Sequence, residues 1–441
     1  MIQNVLPQLP FSFYRYHPIS TDFSGGQITS DAGLLPLRSF DQRHHLTHDW
    51  AAVLSDSRDD DRVEHDGLRL LRQRLYQIVA GYEDANDADR LRHDPLLQIV
   101  ADQKLGSPLG SQPTLSRWEN APAARDLIRL SDTFCQQFIR LCGAQVRQRG
   151  EILLDLDSTD DPTYGAQQLS FFNGAYDQHM YHPMLIFERH TGCLLAARLR
   201  PGNASSHARI VPMLLRLVPH LEAAFPQVKI RLRGDAGFAL PALYRFCEFF
   251  GIEYAIGIPA NRVFQQRAEP LQKKLRRRYR RTQVPQRSFS SFPHRARSWP
   301  RRRRICYKAE HTAAGTNLRF LVTNCPGRAA EVFAFYNDRG ECENRIEELK
   351  NGFRADRLSC HRFLANAFRL LLHGAAYNLV NFFRQYLPQP WRSAQIETLR
   401  AQLFKLGARI RQTARCVRVH LASAWPFQNL FRSAVQAINS T

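Results

Sequence analysis

Carboxylates are the residues in this sequence whose types and spacing can do chemistry. Asp155 and Asp157 close the apolar run EILLDLD, and Asp235 ends VKIRLRGD, flanked by Gly234 and Gly237, which free the backbone to turn. Both runs read as strands. Residues two apart on a strand share a face, so Asp155 and Asp157 point the same way. If the two strands are neighbours in one sheet, Asp157 and Asp235 meet in space although 78 positions separate them (235 − 157). A third acid comes from AAEVFAFYNDRGECENRIEELKNGF, read as one long helix. At about 100° per residue, Tyr336, Arg339, Glu343 and Lys350 fall within a sector of roughly 60°. Such a face is ill suited to a core and well suited to a metal and a phosphodiester. Glu347 falls near the same sector and rivals Glu343 for the acidic role; Glu341 and Glu348 point away. A lone Asp at a strand end is ordinarily a turn or cap, so the joint arrangement carries the expectation.

Three converging carboxylates repel, by about 4 kcal/mol for two unit charges 4 Å apart at an effective dielectric near 20. A pair of Mg²⁺ ions would relieve that repulsion, Mn²⁺ being able to substitute, since hard oxygen donors suit both. Two such ions activate a water or a 3′-hydroxyl and stabilise the leaving oxygen. Competing chemistries lack their residues. No His or Cys cluster has zinc spacing, and no G-x-S-x-G is present.

The elements that must position these acids follow in a telling order. After EILLDLD come HPMLIFER and CLLAARLR, a hairpin closed by HTG, then the helix HARIVPMLLRLVPHLEAAF, the strand VKIRLRGD, the helix LPALYRFCEFFG and the strand IEYAIGI. That is the order of a ribonuclease H-like α/β fold, a mixed five-stranded sheet with helices on both faces. Residues 1–148 form a helical N-terminal region in which Arg117, on the short helix of SQPTLSRWEN, is a candidate DNA contact of helix-turn-helix type. The catalytic core occupies 149–260 and resumes at 327–388. Between them, 261–326 is an insertion holding KKLRRRYRR and RARSWPRRRR, with a β-hairpin made of ICYKAEH and NLRFLVTN. Tyr279, Phe289, Phe292 and Trp299 among these cations suggest base stacking. Residues 389–441 read as a helical, basic C-terminal region.

The 61 Lys and Arg against 40 Asp and Glu give a formal charge of +21 in 441 residues, which calls for a polyanionic partner, nucleic acid before all others. The N-terminus lacks the pattern of a signal peptide, and the most apolar segment, FLANAFRLLLHGAAYNLVNFF, is interrupted by Arg369, His373 and two Asn, as in a buried helix rather than a membrane span. Nine cysteines without a C-x-x-C pair point to a reducing cytoplasm and away from a disulfide framework.

With these residues in view, the chain resembles the DDE transposases of bacterial insertion sequences, the DDE group 1 set with a Y-R-E-K signature. Tyr336, Arg339, Glu343 and Lys350 match that signature without a gap, which selects Glu343 over Glu347. DST at Asp157 and RGDAGF at Asp235 look like the family's first two acidic motifs, and GGQITSDAGLLPLR and SQPTLSRWEN extend the likeness over nearly the whole chain. The resemblance implies a metal-dependent transposase in which Asp157, Asp235 and Glu343 hold two divalent ions, cut the terminal inverted repeats of double-stranded DNA and join the 3′-hydroxyls to target DNA. It assigns DNA phosphate contacts to Tyr336, Arg339 and Lys350, and a base-stacking role in a hairpin intermediate to Trp299. It further implies a homodimer on DNA in a bacterial cytoplasm, associated with the nucleoid. Asp155 stays open between metal support and solvated polarity.

Overall fold

Eight strands form one mixed sheet in the computed structural model, which describes residues 9–440 apart from 57, 60 and 62. In chain order they are β1 (Glu151–Ser158), β2 (Met184–Glu188), β3 (Leu194–Arg198), β4 (Lys229–Gly234), β5 (Glu253–Ile258), β6 (Gln286–His294), β7 (Arg303–Thr312) and β8 (Gly315–Thr323). Their lateral order is β6-β7-β8-β5-β4-β1-β2-β3. β4 is parallel to both β1 and β5, and every other pair is antiparallel. The five strands expected from the sequence sit together as β3-β2-β1-β4-β5. The basic segment after Pro259 adds three more on the β5 edge. It therefore extends the sheet instead of standing apart as an insertion with a single hairpin.

Helices cover both faces. The strands β1, β2, β3 and β5 are mostly apolar runs, as burial from two sides requires, while β4 (KIRLRG) alternates apolar residues with cations. The helices are α1 (Ala124–Arg149), α2 (Ile210–Ala224), α3 (Pro241–Phe249), α4 (Arg262–Thr282), α5 (Ala329–Asn337), α6 (Gly340–Glu347) and α7 (Phe363–Arg384). Successive side chains on a strand face opposite ways, and the added strands use this fully. Phe292, Tyr307 and Phe320 meet α4, with the Phe264 ring 5.8 Å from Phe292 and 5.3 Å from Phe320. Phe289, Cys306 and Leu321 instead pack with Val332 and Phe333 of α5. The added strands thus form the floor on which α5, the start of the Glu343 segment, rests.

That segment is not one long helix. α5 ends at Asn337, α6 starts at Gly340, and a wider π-type turn runs from Glu348 to Gly352. Asn337, Asp338 and Gly340 are weak helix formers, and Asp338 is held from outside by Arg189 and Arg233. α7 is a buried helix that carries polar residues paired in place: Asn378 bonds both Leu194 N and Leu194 O, Asn381 bonds Thr191 O, and Arg369 pairs with Glu119 at 2.7 Å. Among the described residues no helix is long and apolar enough to cross a membrane.

These elements, apart from the last two residues of α7, belong to one compact unit, residues 119–382 with 52–55; a second unit gathers the residues up to 51, 56–118 and 383 onward. The division thus differs from boundaries at 148 and 388, because the chain's two ends share one unit and α1 goes with the sheet. In the second unit Trp50, Leu71, Leu75, Tyr76, Phe40 and Phe383 are buried, and Asp41 accepts hydrogen bonds from Thr47 and Tyr76. The C-terminal region is only partly helical: Ala408–Gln412 and Val417–Leu421 are paired strands, the first also pairing with Ile28–Thr29. The helix Gln112–Glu119 forms as expected. Eleven residues separate it from the helix Pro95–Val100, however, far more than the turn of a helix-turn-helix.

Candidate active site

The register of β1 against β4 builds the site. Lys229 pairs with Glu151 and Gly234 with Leu156, so the offset of 78 runs the length of the pair and the next step sets Asp235 beside Asp157. Adjacent strands lie about 4.8 Å apart, which brings the two acids into lateral contact range at the carboxyl end of a parallel pair. Asp235 leaves the strand as the cap of a short helical turn, its Oδ1 accepting from Gly237 N at 2.9 Å. Neither Gly234 nor Gly237 is among the residues with positive φ. They are small for space: a Cβ on Gly237 would come 2.7 Å from Ser206, and one on Gly234 3.1 Å from Phe238.

Asp157, Asp235 and Glu343 line one open cavity of about 450 Å³ together with Arg339, Glu347 and Lys350. Asp157 is 9% exposed, and its carboxyl is pushed up to about 6. Burial is the main cause; Arg339 opposes it, while the charges of Asp235 and Glu343 add to it. Arg339 answers from α6's start, with Nη2 2.6 Å from Asp157 Oδ2. Lys350 Nζ lies 2.8 Å from Asp160 Oδ1, whose other oxygen accepts from Gln178 at 2.9 Å. Among the described residues, no three His, Cys, Asp or Glu side chains are gathered into a ready-made metal cage. Cations of the protein itself, Arg339 and Lys350, hold Asp157 and Asp160.

A family model, transposase DDE domain group 1, matches residues 11–441. The chain belongs to that family. Among solved structures, the cryo-EM structure of a piggyBac transposase synaptic complex with hairpin DNA is similar, at 12% identity and a TM-score of 0.44, covering 90% of this chain and 82% of that one. No curated protein matches.

In this DDE-family chain the expected site residues divide. Tyr336 is half-buried on α5 beside the cavity; burial and the nearby Asp235 and Asp157 raise its hydroxyl pKa, against the pull of Arg339. Glu343 and Glu347 both reach the cavity, and the charge of Glu343 adds to the rise at Asp157. Arg117 is exposed but belongs to the other unit. Trp299 is 5% exposed, edge-on to Tyr244 at 5.7 Å and covered by the Arg303 guanidinium at 5.3 Å. It is a packing residue here, not a presented stacking surface. Phe289, Phe292 and Tyr279 are likewise turned inward, Tyr279 against His311.

Asp155 proves to be neither a cavity residue nor solvated. It is buried and holds Arg233 of β4 through two bonds of 2.7 Å. Burial raises its pKa, with Arg233 opposing. Arg233 in turn donates to Phe335 O at 2.7 Å and reaches Asp338 at 3.4 Å. The pair therefore clamps the α5–α6 joint, which carries Tyr336 and Arg339, to the two strands that carry Asp157 and Asp235. Two further residues had gone unread. Asp160, the partner of Lys350, was visible in the acidic run DSTDD. Gly257 had no local signal: a Cβ there would lie 2.8 Å from Ala236 N and 3.1 Å from the Tyr336 hydroxyl, so only glycine lets Asp235's turn and Tyr336 close on each other.

Proposed function

We propose that this chain is an active transposase of a bacterial insertion sequence, cutting terminal inverted repeats and joining the freed 3′-hydroxyls to target DNA, with Asp157, Asp235 and Glu343 as its metal-holding acids. The lateral placement of Asp157 and Asp235, with Glu343 in the same cavity, carries the reading. We read the central order β3-β2-β1-β4-β5, with β2 antiparallel to the rest, as a ribonuclease H-like core. The donor set fits divalent cations, because all three groups are hard oxygens, and burial together with the charges of Asp235 and Glu343 already raises Asp157. Two Mg²⁺ or Mn²⁺ ions bound there would supply the activated attacking oxygen and stabilise the leaving one.

The protein's own groups do the rest. Arg339 and Lys350 hold Asp157 and Asp160 until DNA arrives. A phosphodiester competes for both cations, and their transfer to it orients the strand over the carboxylates. The Tyr336 hydroxyl, kept protonated by its surroundings, donates to a phosphate oxygen. A homodimer pairing two ends follows from the family resemblance, as does a nucleoid setting.

The test is cleavage of DNA bearing the flanking inverted repeats, with Mg²⁺, by wild type and by Asp157→Asn, Asp235→Asn, Glu343→Gln and Glu347→Gln. We expect the first three variants to bind and not cut, and Glu347→Gln to retain cutting within about tenfold. Full cleavage by the first three would remove these acids from the chemistry; binding without cleavage by wild type would leave a DNA-binding protein only.

A further inference from the structure

The outer face of α4 has no part in the site just described, and its composition is extreme. The helix carries nine Lys and Arg against one carboxylate, Glu269. Phe264, Ala268 and Leu275 anchor it to the sheet, so one side is spoken for. On the other side Lys273, Lys274, Arg277, Arg278 and Arg281, with Pro270, line a shallow groove of about 400 Å³, and no acid enters that lining. Among the described residues the one ion pair on this helix is Lys273–Glu269 at 2.9 Å. Lys273, Arg277 and Arg281 stand at successive i, i+4 positions, as do Lys274 and Arg278, and like charges so placed destabilise a helix. The helix dipole favours cations only in the last turn, at Arg280 and Arg281. Among the described residues no further ion pair compensates the remaining repulsion, and such a local conflict marks a surface built for an external partner.

We propose that this groove binds the phosphate backbone of duplex DNA independently of sequence, as a track separate from the carboxylate cavity. The choice of DNA among polyanions rests on the transposase reading. The mode rests on the side chains: the groove is cationic at every turn and offers no Asn, Gln or Asp to read base edges, and the aromatics that would stack on bases are packed against the sheet. The segment is thus a phosphate-contacting helix in place of the stacking platform its sequence suggested.

The experiment measures binding of the full chain to a labelled random duplex of about 30 base pairs, lacking element ends, between about 0.05 and 0.3 M KCl. Wild type is compared with Lys274→Gln/Arg277→Gln/Arg278→Gln/Arg281→Gln, since Gln keeps helix propensity. Each lost phosphate contact should flatten the slope of log K against log salt by about 0.9, so four should flatten it by about 3–4 and weaken binding about 10²–10³-fold at 0.15 M. Replacing Arg277, Arg278 and Arg281 by Lys should keep the slope, which separates lost charge from lost folding. A control removing four scattered exposed arginines, Arg125, Arg149, Arg415 and Arg432, should move the slope by less than about 1. Equal effects of both sets would reduce the groove to net charge and overturn the proposal, as would an unchanged slope in the α4 variant. Loss of binding to double-stranded RNA or phosphatidylserine vesicles, with DNA binding intact, would overturn it too. End cleavage at low salt reads separately: if wild type cuts no ends while the slope still falls, the transposase reading fails and the DNA track stands.

Discussion

Replacing Asp157 by Asn should stabilise the DNA-free, metal-free protein at neutral pH. The wild-type carboxyl titrates near 6 in place of 3.8 because it is buried next to Asp235 and Glu343, and Arg339 only partly offsets this. Holding it ionised therefore costs about 3 kcal/mol. Asn keeps an acceptor for Arg339, but that guanidinium loses its charged partner, so the net gain should be about 1–3 kcal/mol. The sign follows from linkage. Below about pH 4 the carboxyl is protonated in folded and unfolded chains alike and costs nothing. As pH rises from about 4 to 6 the unfolded chain gives up the proton first, and wild type loses stability; above about 6 the whole penalty is present. Scanning calorimetry without divalent ions should show Asp157→Asn melting roughly 1–5 °C above wild type at pH 8, with the gap closing at pH 4. Millimolar Mg²⁺ should raise the wild-type melting temperature and leave the variant nearly unmoved, since a ligand stabilises only the fold that binds it. A variant no more stable than wild type at pH 8, or equally advantaged at pH 4, would refute the claim that burial and the acidic neighbours cost Asp157 more than Arg339 returns.

Three other substitutions probe how the site is held. Asp155→Ala leaves Arg233 buried without its carboxylate and should cost about 3–5 kcal/mol in denaturant unfolding, where a solvated acid would cost under about 1. Gly257→Ala pushes a methyl against Ala236 N and the Tyr336 hydroxyl; DNA binding should persist while end cleavage falls at least about 10²-fold, and unimpaired cleavage would mean that the Asp235 turn has slack. Trp299→Ala removes a buried ring from between Tyr244 and Arg303 and should cost about 3–5 kcal/mol of stability; a variant of wild-type stability with a specific defect on hairpin DNA would restore Trp299 as a stacking residue.

Where the sequence misled, local patterns were overridden by charge. α4 has a helical stripe in Phe264, Ala268 and Leu275, but the dense cations around it mask that stripe in an insertion where the sequence marks only a β-hairpin. Ala408 and Ile410, then Val417, Val419 and Leu421, alternate as strands do, yet the Arg-rich context reads as helix. The break in the Glu343 segment was written in Asn337, Asp338 and Gly340, whose weak helix propensity mattered because Arg189 and Arg233 hold Asp338 from another element. The added strands escaped notice as part of the main sheet because pairing of β8 with β5 joins residues more than sixty apart, and no short-range signal marks such a pair.

The sequence by itself determined the chemical inventory and the local elements: the runs that become β1 to β5, the hairpin turn at Gly192, and acids whose 78-residue spacing becomes the register offset of β1 and β4. What only the tertiary structure decided is the division of labour among those acids. Asp155 and Asp157 are of one type on one strand, two residues apart. One meets Arg233 across the sheet and becomes a clamp; the other meets Asp235, Arg339 and the Glu343 charge and becomes part of the cavity. The physical reason is that a carboxylate's role depends on which charges and how much water surround it, and those neighbours come from segments about 80 to 190 residues away.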